Sequence, residues 1–157
     1  MKIQGLHHFA WKCVNADETI AFYEGILDLP YVHKIEKDHV PSTGKYAPYK
    51  HIFFRMPDQS HIAFFDLGDG IGTTTNCDNW IVHFAFEVES KEDVDSWYTK
   101  LVDNKIDVVG PTNHDDWIYS IYFFDPNGLR LEITTRLDSP RARQRRIGDR
   151  RYEYRKS

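Results

Sequence analysis

Three side chains in this sequence pair a reactive group with an uncommon setting: His8, His83 and Glu132. Imidazole titrates near neutrality and is a common metal ligand, and a carboxylate adds negative charge to such a set. Glu132 falls in residues 118–135, IYSIYFFDPNGLRLEITT. Two apolar runs meet there at Asp125-Pro126-Asn127-Gly128, where proline presets φ and glycine relieves the exit, so a β-hairpin is predicted. In its second strand Leu131 and Ile133 point one way and Glu132 the other. A carboxylate on so apolar a sheet is either solvated, the ordinary state of a strand glutamate, or committed to a partner.

The histidines occur in a repeat. His8-Phe9-Ala10 recurs as His83-Phe84-Ala85, Phe22-Tyr23 as Trp97-Tyr98 and Asp28 as Asp103, all at an offset of 75 residues. The first copy reads strand (6–11), helix capped by Asn15 with Glu18 three residues on, then strands at 31–36, 49–56 and 60–67. The second reads strand (80–88), helix with a Ser90/Asp93 capping box, then strands at 106–109, 117–124 and 129–134. Each copy is βαβββ. In each first strand the aromatic residues share one face, while histidine and alanine share the other. Alone, either histidine reads as a satisfied core or edge residue; its recurrence beside alanine, which leaves open volume, favours a ligand.

Composition bounds the rest. The chain of 157 residues is 41% apolar and 15% aromatic, enough for one domain. No run reaches the ~18 apolar residues of a membrane span and no signal peptide opens the chain, so a cytoplasmic protein without a membrane partner is expected. Two cysteines, Cys13 and Cys77, make neither a disulfide framework nor a zinc knuckle. Residues 136–157 carry nine Lys/Arg against three acids, a net of +6, which leaves −10 on residues 1–135. An acidic body argues against nucleic acid, and the basic tail is read as solvated or self-packing.

The stretches LHHFAW, ADETIAFYEGILDLP, IVHFAFEV and YFFDPNGLRLEI resemble the vicinal oxygen chelate superfamily, which holds glyoxalase I, extradiol dioxygenases, fosfomycin-resistance thiol transferases and methylmalonyl-CoA epimerase. The resemblance covers residues 5–135. It implies an α+β domain of two tandem βαβββ modules (5–67 and 80–135), curled mixed sheets forming a cup with helices outside, and a homodimer. It also implies a divalent metal held by His8, His83 and Glu132. Such a two-histidine, one-carboxylate set leaves three coordination positions open and suits Fe(II), with Mn(II) or another divalent ion also fitting.

Within the superfamily, glyoxalase I and the epimerase resemble each other in a further ligand from the last strand of module one, and Ala63 stands at that position. Extradiol dioxygenases resemble this chain in having a histidine on that strand, here His61, and a tyrosine ten residues before the carboxylate, here Tyr122. His61 is therefore expected as acid/base and Tyr122 as a hydrogen-bond donor, in an Fe(II) dioxygenase cleaving an aromatic, catechol-type small molecule. The alternatives are a glyoxalase- or isomerase-type lyase, a fosfomycin-resistance-like thiol transferase and a sequestering resistance protein. Against the transferase, the loop 112–116 is acidic where a phosphonate site should be cationic; Arg141 is its nearest remnant.

Overall fold

A computed structural model describes residues 2–137. Arg141 and the basic tail from residue 138 lie outside the described residues. The order is β1 (His8–Cys13), α1 (Ala16–Tyr23), β2 (Tyr31–His39), β3 (Tyr46–Arg55), β4 (His61–Asp66), β5 (His83–Glu87), α2 (Lys91–Asp103), β6 (Val109–His114), β7 (Ile118–Phe124) and β8 (Arg130–Arg136). The fold is α+β, built from two βαβββ modules as the repeat predicts. Each contributes one four-stranded mixed sheet of identical topology, β1-β4-β3-β2 and β5-β8-β7-β6, with the first strand parallel to the last and the other neighbours antiparallel.

The chain divides into two compact units, Met1–Asp78 with Asp125–Leu129, and Asn79–Phe124 with the chain from Arg130. In the first unit Asn15 caps α1 by accepting from the Glu18 N–H at 3.0 Å, as its sequence position predicts. The helix buries Phe22 and Tyr23, and Tyr23 stacks on Phe54 of β3 at 5.1 Å between ring centroids. Its hydroxyl donates to Asp125 at 2.9 Å, and Asn127 accepts the Val14 N–H at 2.8 Å. The Asp-Pro-Asn-Gly turn is thus fastened to α1 and the end of β1. Gly128 adopts φ +78, a left-handed conformation that glycine takes without a Cβ penalty. At Gly72 a Cβ would lie 2.7 Å from the Asn127 carbonyl oxygen, so only glycine lets the two backbones approach.

In the second unit the capping box of Ser90 and Asp93 forms as predicted and starts α2, which buries Val94 and Leu101. One element is displaced from expectation. The strand anticipated at 106–109 instead runs Val109–His114, through Pro111, with a register shift between Val109 and Thr112. Proline reads as a breaker, but β6 is the sheet's edge strand, where a missing N–H leaves no neighbour unpaired. His114 consequently lies on a strand and not in a loop.

Candidate functional site

In the second unit, parallel pairing of β5 with β8 sets His83 opposite Arg130 and Ala85 opposite Glu132, and antiparallel β7 sets Tyr122 opposite Glu132. Because side chains alternate, His83, Arg130, Glu132 and Tyr122 share one face. Glu132 is 3% exposed, which removes the solvated reading. Its Oε2 lies 2.9 Å from His83 Nε2, while its buried Oε1 has no hydrogen-bond partner among the described residues. The other ring nitrogen of His83, Nδ1, is 3.2 Å from the Ile81 carbonyl. A neutral imidazole that donates Nδ1–H to that carbonyl presents a lone pair at Nε2, toward a carboxylate. Two lone-pair donors so placed require a positive charge, either a proton on His83 or a bound cation. A buried, unpartnered carboxylate oxygen beside them fits a divalent metal ion.

Tyr122 borders this pair. Its hydroxyl is 2.8 Å from His114 Nε2, its ring stands edge-on to His83 at 6.1 Å, and the Arg130 guanidinium lies over the ring at 4.4 Å from the centroid. Burial, and next the charge of Glu132, raise the Tyr122 hydroxyl above its usual range, so it is an O–H donor at neutral pH. Two members of this group, Arg130 and His114, were not among the residues expected from the sequence. Arg130 was legible from the period of two that puts it on the face of Glu132. His114 was hidden by the proline that masked β6.

In the first unit, His8 and His61 are in register on the parallel neighbours β1 and β4, and Phe53 packs against both. His8 Nδ1 is 2.7 Å from His7 Nδ1, and His61 lies by the His7 backbone. His51 is buried, stacks on Phe65 and donates Nδ1–H to the Phe64 carbonyl at 3.0 Å, a structural role. Ala63 is fully buried between its register partners Ala10 and Phe53 and carries no donor atom. The structure thus brings His83 and Glu132 together in one unit and His8 and His61 in the other. Among the described residues no group of three or more His, Cys, Asp or Glu is assembled for a metal ion.

Residues 5–133 match the sequence profile of the glyoxalase/bleomycin resistance protein/dioxygenase superfamily, and the chain belongs to it. Among proteins of similar sequence is the metallothiol transferase FosB of Bacillus licheniformis, 27% identical over 85% of this chain and 77% of the relative. Among solved structures is the fosfomycin resistance protein FosX of Listeria monocytogenes, in complex with Mn(II) and dihydroxypropylphosphonic acid. It is 20% identical, with a TM-score of 0.62 over 91% of this chain and 99% of that one. A lactoylglutathione lyase of Agrobacterium tumefaciens is 22% identical, with a TM-score of 0.62 over 86% and 96%. These structural likenesses define the fold.

The expectation of an extradiol dioxygenase is corrected by these comparisons, because the relatives similar in sequence are metallothiol transferases. The physical reason is that two imidazoles and a carboxylate are not specific to O₂ chemistry: the same open positions serve a redox-inert ion acting as Lewis acid. Fe(II) and an aromatic substrate find no support, and the metal in the FosX structure is Mn(II). Among the described residues no helix is long and apolar enough to cross a membrane.

Proposed function

We propose that this protein is a divalent-metal-dependent enzyme that opens a strained small molecule, with fosfomycin as the first candidate and a thiol as the nucleophile. The observation that carries this reading is the buried Glu132 carboxylate, with one oxygen engaged by His83 and the other without a partner among the described residues. The similarity to metallothiol transferases directs it to thiol transfer. His8, His83 and Glu132 are the proposed ligands, with Mn(II) favoured by the FosX structure. A divalent ion held there would supply Lewis acidity.

The chain's own residues do the rest. Fosfomycin carries an epoxide and a phosphonate. Tyr122, its hydroxyl held by His114, donates a hydrogen bond to a substrate oxygen. His61 takes the thiol proton, the sulfur forms its bond to an epoxide carbon as that carbon–oxygen bond breaks, and the proton returns to the freed oxygen. The absence of a donor at Ala63 favours this reading over a glyoxalase-type lyase. Homodimerisation is proposed from the superfamily.

The test is proton and phosphorus NMR of fosfomycin with Mn(II)-loaded protein and either cysteine or glutathione. A thiol adduct at a rate proportional to enzyme is expected. Fosfomycin left unchanged with both thiols, or an O₂-dependent product from a catechol, would overturn the assignment.

A further inference from the structure

We propose that Arg130 is the residue that recognises the oxyanion group of the substrate. It lies two residues before Glu132 on β8 and so faces the same way, in register with His83 on β5 and Phe124 on β7. The guanidinium lies over the Tyr122 ring, 4.4 Å from its centroid, and a planar guanidinium stacked on an aromatic face keeps its N–H donors for an acceptor. No carboxylate takes those donors: among the described residues Arg130 forms no ion pair, whereas Arg136, on the same strand, is bound to Glu87 at 3.0 Å. The nearby Glu132 is instead engaged by His83. Lys91 and Lys100 of α2 lie instead over the rings of Tyr119 and Trp97.

A half-buried guanidinium whose donors meet no acceptor among the described residues fits two oxygens on one atom, as in a phosphonate or a carboxylate. It supplies the positive charge whose lack in loop 112–116 counted against a phosphonate-bearing substrate. Which molecule carries the anion rests on the function proposed above: the phosphonate of the electrophile or the carboxylate of the thiol. The recognition chemistry is the same for both.

The experiment is titration calorimetry of the full chain, metal-free and Mn(II)-loaded, with methylphosphonate and with acetate. Arg130→Gln removes the charge at similar size and Arg130→Lys keeps it without the fork. In both metal states Arg130→Gln is expected to weaken methylphosphonate binding about tenfold or more, Arg130→Lys less, and neither to change Mn(II) affinity. Preference of the parent for methylphosphonate assigns the electrophile; equal binding of acetate, lost equally in Arg130→Gln, assigns the thiol's carboxylate. Binding by Arg130→Gln within about twofold of the parent, or none by the parent, overturns the proposal. Glu132→Gln separates the two claims: unchanged Mn(II) affinity there refutes the metal site while the Arg130 comparison in metal-free protein still decides its own.

Discussion

Glu132 Oε2 is 2.9 Å from His83 Nε2, while Oε1 of the same carboxylate is buried and without a partner among the described residues. A half-satisfied buried carboxylate costs the folded chain about 1–3 kcal/mol, which a protein retains only for a purpose. In metal-free protein Glu132→Gln should therefore unfold no more easily than the parent. Mn(II) at about a hundred times its dissociation constant should stabilise the parent by about 2.7 kcal/mol and leave the variant unmoved. Thermal unfolding with and without Mn(II) reads both; an equal metal-induced shift in the two proteins would remove Glu132 from the site.

Tyr122 offers a hydroxyl that His114 holds in place, and its loss should affect turnover without affecting the metal. Tyr122→Phe is expected to lower kcat/KM with fosfomycin about tenfold, or about 1.4 kcal/mol. Mn(II) affinity should stay at the parent value, and His114→Ala should reproduce part of the loss. Unchanged kcat/KM in Tyr122→Phe would make the tyrosine one more sheet aromatic.

Asp125 anchors the hairpin turn to α1, and burial holds its carboxyl above the ordinary aspartate value of 3.8, partly offset by donors from Asn127, Leu129 and Tyr23. With a raised folded value the native state retains a proton that the unfolded chain gives up. Its stabilising contribution is therefore full below the ordinary value and lost as pH rises through the raised one. Asp125→Asn does not titrate, so its stability relative to the parent should improve between about pH 4 and pH 7. Urea unfolding at the two pH values measures this, and a relative stability that falls over the same interval is the contrary result.

The two cysteines should differ sharply in reactivity. Cys13 is fully buried and burial pushes its thiol up to about 11, whereas Cys77 is exposed. A disulfide reagent at neutral pH should modify one thiol per folded chain and the second only on unfolding. Cys77→Ser should abolish the fast phase; a fast phase that survives would show Cys13 to be accessible.

The two modules were legible in the sequence because a duplicated strand–helix grammar leaves matched residues at a constant offset, and both helix caps formed as their spacing required. The face shared by His83 and Ala85 followed from strand alternation alone. Proline concealed β6 and with it His114, since an edge strand tolerates what an interior strand does not. On its own strand Glu132 is indistinguishable from a solvated glutamate, and only the family resemblance marked it as a ligand; its burial was not legible because one strand does not reveal what its neighbours cover. Arg130 shares the face of Glu132 by strand alternation, but its place over the Tyr122 ring depends on the pairing of β7 with β8, which one strand does not reveal. The reaction was the least legible: two histidines and a carboxylate suit both redox and Lewis-acid metal chemistry, and nothing in those residue types separates the two.

Mn(II) titration of the full chain, followed by calorimetry, tests the proposed metal site most directly. The parent is expected to bind one ion per chain, and His8→Ala, His83→Ala and Glu132→Ala each to weaken it about a hundredfold or more. Mn(II) bound by Glu132→Ala as tightly as by the parent would contradict the site.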